Sequence, residues 1–148
     1  MKKRVTSLLI LCLAVSVGVL AFLWITEKSS RDDMKELAQA EAFHSYMEFA
    51  EYQASGDISR YWAGVASFRT FQQAYRSAYQ GTNHSANYLI CDAVYGYLLA
   101  EPEKSQTHMA EIVRMMEFLS KDIDDLNGHA QMLELRNALS EADGTTAG

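Results

Sequence analysis

The chain has 148 residues, a formal net charge of −6 and 49% hydrophobic residues, with a single proline and two cysteines. All 19 acidic residues but only 10 of the 13 basic ones follow Ile25, so this portion carries a formal charge of about −9. An acidic portion without a basic block is unsuited to nucleic acid, whose phosphates require clustered lysine and arginine.

An uncharged and mostly apolar segment of 21 residues runs from Val5 to Ile25. As a helix it would span about 32 Å, against a hydrocarbon core of about 30 Å. A cleaved signal peptide has a shorter apolar region of about 7–15 residues, and here the apolar run continues past the small residue Ala21. We predict a retained transmembrane signal-anchor at residues 5–25 that contacts the lipid bilayer. Cleavage, which would give a secreted helical binding domain, is the alternative.

The charges on either side of this segment predict its orientation. Three consecutive basic residues occupy positions 2–4, and basic flanks tend to remain in the cytoplasm. We therefore predict a basic cytoplasmic tail at residues 1–4 and a single-pass protein of the cytoplasmic membrane, with its C-terminal domain outside. A cytoplasm-facing domain is the alternative, because Lys28, Arg31 and Lys35 follow the segment.

A helical domain is predicted at residues 31–142, after a juxtamembrane linker at residues 26–30. Ser29 and Ser30, followed by acidic residues, are typical of a helix N-terminus. Gly56 and Asp57 then predict a helix stop and a new N-cap. Between these signals, apolar residues at spacings of three and four predict a core-facing stripe: Leu37, Ala40, Phe43, Met47, Ala50 and Ala54.

The second and third helices are predicted to end near Gln80 and Ala100. The third, over residues 85–100, is apolar on almost every face, which is typical of a buried central helix. Asp92 interrupts it, and a carboxylate there must either face water or find a partner. The possible partners on other helices are four arginines: Arg60, Arg69, Arg76 and Arg114.

Pro102 predicts the start of a fourth helix, which Asn127 and Gly128 end. A last short helix precedes a flexible tail at residues 143–148. The fourth and fifth helices carry apolar residues at helical spacing: Met109, Ile112, Met116, Leu119, Ile123 and Leu126, then Met132, Leu135, Leu139 and Ala142. The predicted fold is all-α, with one N-terminal transmembrane helix followed by a compact antiparallel bundle of about five helices.

The sequence contains no motif that predicts a catalytic, cofactor-binding or metal-binding residue, and none that indicates a family. Glu41 and His44 have the spacing of di-iron carboxylate ligands, but the chain has no second copy of that pair. Cys91 lies in an apolar segment and is predicted to be a buried thiol that acts as a small hydrophobe. An enzyme or metal protein with a site dispersed over several helices is the alternative.

Eight tyrosines and two tryptophans give the chain aromatic side chains that fill cores but are also enriched in binding hot spots. We predict a non-catalytic binding or scaffolding protein of the cell envelope, which docks another envelope protein or itself. Asp92 is a candidate functional carboxylate. The candidate partner surface is an aromatic helix face: Tyr61, Trp62, Phe68, Tyr75 and Tyr79.

Overall fold

The computed structural model describes residues 2–82 and 85–141, apart from the side chains of residues 2–12, 14 and 85. The predicted all-α class is confirmed over this part of the chain, whereas Met1 and the predicted tail at 143–148 lie outside it. The described residues form no strand and six helices: α1 (Lys2–Ser55), α2 (Ile58–Tyr79), α3 (Ser85–Ala100), α4 (Pro102–Thr107), α5 (Met109–Lys121) and α6 (Leu126–Glu141).

α1 is one helix of 54 residues that passes through the predicted linker at residues 26–30 without a break. Ser29 and Ser30 therefore do not start a helix. Arg31 donates a hydrogen bond of 2.6 Å to Glu27 one turn earlier, which spans the two serines. The Thr26 hydroxyl also donates back to the Phe22 carbonyl oxygen at 2.9 Å. These bonds lie within the helix, so the apolar segment and the bundle share one continuous helix.

The described side chains of the apolar segment of α1, which begin at residue 13, are uncovered. Among the described residues, no helix combines the length and the apolar character needed to cross a membrane. The side chains of residues 5–12 and 14 of the predicted anchor lie outside the described ones. The large apolar side chains that follow are each at least 52% exposed: Leu13, Val15, Val17, Val19, Leu20, Phe22, Leu23, Trp24 and Ile25.

From Met34 onward α1 belongs to an antiparallel bundle. Gly56 adopts a φ of 71°, and the Asp57 side chain accepts a hydrogen bond from the Ser59 backbone at 2.9 Å, which confirms the predicted stop and cap.

α2 and α5 both pack on α1. Both run in the opposite direction, because Arg60 near the start of α2 pairs with Glu48 near the end of α1, and Gln39 of α1 donates to the Lys121 carbonyl oxygen at the end of α5. α3 packs on α2 and α6 rather than on α1.

The two ends of the bundle differ in their distance from the apolar half of α1. The near end contains Lys35, Tyr79 and Asp124 and is called the base. The far end, which contains Gly56 and Ala100, is called the tip. A bond of 2.7 Å from the Tyr61 hydroxyl to the Leu98 carbonyl oxygen links α2 to α3 towards the tip.

The buried face of α1 differs from the predicted one. Leu37, Phe43 and Met47 are at least 40% exposed, whereas Ala38 and Phe49 are fully buried. α1 carries two apolar stripes of similar spacing, and the buried one has small residues that let α2 approach closely. In α2 the facing residue is Gly64, where an added Cβ would lie 2.6 Å from the Phe49 ring.

The predicted core positions of the later helices are mostly confirmed, but the helix boundaries move. The predicted fourth helix divides at His108 into α4 and α5 and ends at Lys121, and α6 begins at Leu126. Gly128 therefore lies in the first turn of α6, where it packs against Leu119. Leu126 is exposed, and Ala142 lies outside the described residues. The other apolar positions predicted for these helices are buried: Met109, Ile112, Met116, Leu119, Ile123, Met132, Leu135 and Leu139.

Candidate functional site

The predicted aromatic partner surface lies mostly in the core. Tyr61, Phe68 and Tyr75 are fully buried and Tyr79 is 2% exposed, whereas Trp62 is 44% exposed. α2 contacts both α1 and α3, so most of its aromatic residues face other helices. The expectation of an exposed face built from these five residues is therefore corrected, and Trp62 alone of the five is accessible.

Asp92 connects α3 to α2 at the margin of the core. Gln72 Nε2 donates a hydrogen bond of 2.6 Å to Oδ1, and Arg76 Nη1 lies 3.6 Å from Oδ2. Arg76 is thus one of the four arginines predicted as partners. These contacts give the Asp92 carboxylate a structural role, because they link α3 to α2. A functional role for Asp92 stays a prediction.

A recess of about 420 Å³ opens at the base, between α1, the end of α2 and the connection from α5 to α6. Lys35 on α1 donates a hydrogen bond of 2.8 Å to Asp124, and the Tyr79 hydroxyl donates to the other oxygen of the same carboxylate. Burial acts to raise the pKa of Asp124, but the two hydrogen bonds and the nearby positive charge of Lys35 together outweigh it and hold the pKa below its usual value. The Lys35–Asp124 pair in this recess therefore links α1 to the connection between α5 and α6.

His129 joins three helices beside this recess. Its Nε2 lies 3.1 Å from the Ile123 carbonyl oxygen and 2.9 Å from the Tyr75 hydroxyl, and its Nδ1 lies 3.3 Å from Asn87 Nδ2. A carbonyl oxygen can only accept, so we assign the proton to Nε2, and Nδ1 then accepts from Asn87. The sequence does not reveal this network, because its members come from α2, α3 and α6.

Alkaline pH is expected to unfold the bundle before the buried phenols at the base ionise. Burial, with further contributions from neighbouring acidic groups, raises the pKa of Tyr75 and Tyr79 above the ordinary value. The unfolded chain ionises these phenols at about pH 10, so it loses protons first and the free energy of unfolding falls as the pH rises above about 10.

The measurement for this prediction is a titration of phenolate absorbance and helical circular dichroism on one sample. A late rise in absorbance should coincide with loss of helix, and Y75F and Y79F should each reduce its amplitude. Full ionisation with the helix signal intact would contradict the raised pKa values.

The described residues offer no group of three histidine, cysteine, aspartate or glutamate side chains that could hold a metal ion. Cys91 is buried, as predicted, and burial raises the pKa of its thiol well above the usual value. A thiol in this state is a poor nucleophile, because the thiolate is the reactive form.

One side of α3 forms an uncovered apolar surface, here called the α3 face. α3 was predicted to be central, but it lies at the edge of the bundle and buries only its opposite side, which includes Cys91, Val94 and Leu98. Leu89 and Leu99 are 59% and 53% exposed. The α3 face consists of Ala86, Leu89, Ala93, Gly96, Leu99 and Ala100.

A shallow depression of about 370 Å³ lies within the α3 face, over Ala93, Gly96 and Ala100. Tyr97 and Glu101 form its rim. An added Cβ at Gly96 would meet no atom within 4 Å, so this part of the helix backbone is open to an approaching partner. The depression and the exposed leucines together make the α3 face the strongest candidate binding surface of the bundle.

A second exposed apolar stripe lies on α1, and it is called the α1 outer stripe: Leu37, Ala40, Phe43 and Met47. Glu36 borders the same shallow recess as Ala40 and Phe43, as Glu101 borders the depression on the α3 face. The exposed side chain of His44 also lies next to Phe43, with ring centroids 6.3 Å apart. The α1 outer stripe is thus mixed with charged and polar groups.

These features define an all-α bundle protein whose first helix extends beyond the bundle as an exposed apolar segment. No protein-family model matches the chain, and neither a curated protein nor a solved structure matches it. What the protein does must therefore be inferred from its own surfaces.

Proposed function

We propose that this chain is a single-pass membrane protein of the cell envelope, whose helical bundle acts by binding or scaffolding a partner outside the cytoplasm. The observation that carries the proposal is the set of exposed apolar side chains between Leu13 and Ile25 on α1, a helix that continues without a break into the folded bundle. A membrane-anchored bundle uses both parts of this helix, one in lipid and one in the core.

The apolar half of α1 has the composition of a membrane anchor. Residues 13–25 expose nine large apolar side chains, and soluble proteins rarely expose apolar surface of this extent. Leu, Ile, Phe and Val each favour insertion by about 0.3–0.6 kcal/mol near the centre of a membrane helix. Together with residues 5–12, the uncharged segment reaches 21 residues, which is sufficient to span a bilayer.

The residues that flank this segment support the orientation with the bundle outside. Trp24 is suited to the lipid–water interface, and the Lys28 ammonium lies 5.8 Å from the centre of its ring. Basic residues at positions 2–4 precede the segment and favour the cytoplasmic side. Because α1 is continuous, the base of the bundle then lies directly above the membrane, which raises its effective concentration towards membrane partners.

The α3 face supports binding as the activity of the bundle. It presents two exposed leucines and a shallow depression, whereas Lys35 and Asp124 in the basal recess are already paired with each other. Contiguous apolar surface that remains uncovered on a folded domain is typical of sites that contact another protein, a membrane or a ligand.

The test is the intact mass of the protein in separated membrane and soluble extracellular fractions. The proposal expects a full-length species of 16.6 kDa that stays with the membrane after alkaline carbonate extraction. External protease should then digest the bundle in intact cells. A shorter soluble species that begins near Phe22 would instead establish the secreted alternative, and a protected bundle would place it in the cytoplasm.

A further inference from the structure

We propose that the basal recess, the cavity of about 420 Å³ between α1, the end of α2 and the α5–α6 connection, binds the headgroup of an ethanolamine phospholipid. Lys28 and Arg31 contact the lipid phosphate, and the Asp32 carboxylate accepts hydrogen bonds from the lipid ammonium. This inference rests on the proposed membrane anchoring, but it holds for either orientation of the chain. It goes further in naming a ligand and the residues that hold it.

The basal recess lies at the membrane surface when α1 is anchored as proposed. Leu23, in the last turn of the proposed anchor, lines a neighbouring recess together with Ser77 and Gln80 at the end of α2. The end of α2 therefore reaches the level of the anchor, and no stalk separates the bundle from the bilayer. Lipid headgroups occupy the layer just outside the hydrocarbon core, so the basal recess lies in that layer.

Both signs of charge line the basal recess. Lys28, Arg31, Asp32 and Lys35 lie within about two turns of α1, and Asp124 faces them from the α5–α6 connection. Three cations and two carboxylates nearly balance, which suits a zwitterionic ligand better than an anionic one. The portion of the chain after the proposed anchor has a formal charge of about −9, which also disfavours an anionic lipid.

The charges that remain available in the recess match the two charges of the lipid. The Lys28 ammonium lies 5.8 Å from the centre of the Trp24 ring, and among the described residues neither Lys28 nor the exposed Asp32 has an ion-pair partner. Arg31 uses Nη2 for its bond to Glu27, and its guanidinium carries five N–H donors, so others can reach a ligand. Lys28 and Arg31 are therefore suited to a phosphate, and Asp32 is suited to an ammonium group.

The order of these charges along α1 matches the order of the groups in the lipid. An ethanolamine phospholipid carries its phosphate next to the glycerol and its ammonium at the far end, away from the acyl chains. Lys28 follows the proposed anchor by three residues, and Asp32 lies four residues later, about 6 Å farther from the bilayer along the helix. The cation is thus at the level of the phosphate, and the carboxylate is at the level of the ammonium.

The size and the apolar rim of the recess favour a lipid over a free headgroup compound. Sites for small ligands have volumes of about 300–1,000 Å³, and the basal recess of about 420 Å³ lies in this range. Leu126 also lines the recess and is 78% exposed. The glycerol and upper acyl chain of a lipid bound here cover this leucine, which adds apolar contact to the ionic contacts. Free phosphoethanolamine has no such apolar part.

Quenching of Trp24 by lipids with brominated acyl chains tests the preference for this headgroup. Trp24 lines a small recess that shares Lys28 and Arg31 with the basal recess, and W62F leaves it as the only tryptophan. The full chain with W62F is placed in phosphatidylcholine vesicles that contain a minor fraction of brominated phosphatidylethanolamine, phosphatidylglycerol or phosphatidylcholine. We expect phosphatidylethanolamine to associate at least about fivefold more strongly than the other two. It alone offers a phosphate together with an ammonium that carries N–H donors, which the quaternary ammonium of choline lacks.

Charge variants assign this preference to the recess. K28D/D32K keeps the composition and the net charge but reverses the order of the two charges along α1, so it should abolish the preference. D32N removes only the negative charge and should make phosphatidylethanolamine equal to phosphatidylcholine. The matched control is E117K/K121E, which exchanges a pair bonded at 2.6 Å on α5, outside the recess, and should keep the full preference. All of these positions are at least partly exposed, so each variant should retain the helical circular dichroism.

The other outcomes overturn the inference. Equal quenching by phosphatidylcholine would show that the ammonium donors are not recognised, and stronger quenching by phosphatidylglycerol would show that the recess binds an anionic headgroup. An unchanged preference in K28D/D32K and D32N would place the binding elsewhere, and its reversal by millimolar free phosphoethanolamine would assign the recess to a soluble ligand. Failure of the proposed anchoring would appear separately, as no quenching of Trp24 by any brominated lipid, and the lipid site would fail with it.

Discussion

Arginines in place of Leu13 and Val17 are expected to release the protein from the membrane fraction. Each arginine near the centre of a membrane helix costs about 2.5–3.5 kcal/mol, and each replaced apolar residue forfeits about 0.3–0.6 kcal/mol. The L13R/V17R variant should therefore disfavour insertion by about 6–8 kcal/mol, which exceeds a factor of 10⁴ in partitioning. The two positions lie one turn apart, so both charges fall on the same side of α1.

The matched control is F43R/M47R, which places two arginines one turn apart on exposed apolar positions of the same helix. This variant should remain in the membrane fraction, because the α1 outer stripe lies beside the bundle and outside the proposed anchor. Carbonate extraction followed by immunoblotting measures both variants. If L13R/V17R stayed in the membrane as firmly as the unmodified chain, residues 5–25 could not be the anchor.

Local signals in the sequence were sufficient for much of the fold. Gly56 and Asp57 are adjacent and act on the backbone next to them: Gly56 adopts a positive φ, and the Asp57 side chain caps the following helix. The predicted helix stop is found there. The bounds of α3 likewise follow from breakers on either side of an apolar run. The helix start that was predicted at Ser29 and Ser30 is not found, because α1 continues through both residues. A hydrogen bond from Arg31 to Glu27 spans them within the helix.

Which faces are buried could not be read from the sequence, because it depends on distant packing. α1 has two apolar stripes, and the close approach of Gly64 to Phe49 selects the one that enters the core. The aromatic residues of α2 are buried for the same reason, since helices on both sides cover them. α3 looked central from composition alone, yet its position at the edge leaves the α3 face as the main candidate surface.

The hydrogen bonds that connect the helices at the base could not be predicted from the sequence either. His129 contacts Tyr75 and Asn87, which lie 54 and 42 residues away along the chain. Asp124, in the connection between α5 and α6, receives its hydrogen bonds from Lys35 on α1 and Tyr79 on α2. No spacing rule connects such residues, so candidate sites of this kind emerge only when the helices are placed together.

Replacing Phe49 with alanine is expected to cost about 3–5 kcal/mol in the free energy of unfolding, whereas F43A should cost less than about 1 kcal/mol. Phe49 is fully buried, and its ring centroid lies 5.9 Å from that of Tyr61. Phe43 lies on the same helix but is 49% exposed, so its removal leaves no core cavity. Urea denaturation of the full chain in detergent micelles, followed by circular dichroism, measures both variants.

A double-mutant cycle with Gly64 tests the packing that selects this stripe. Alone, G64A should destabilise the bundle, because its Cβ would lie 2.6 Å from the Phe49 ring in a tightly packed core. In the F49A background the ring is absent, so G64A should become neutral or stabilise α2 by up to about 1 kcal/mol through the helix propensity of alanine. G96A is the control, since its Cβ meets no atom within 4 Å. Equal costs for G64A in both backgrounds would show that contact with Phe49 does not determine which side of α1 is buried.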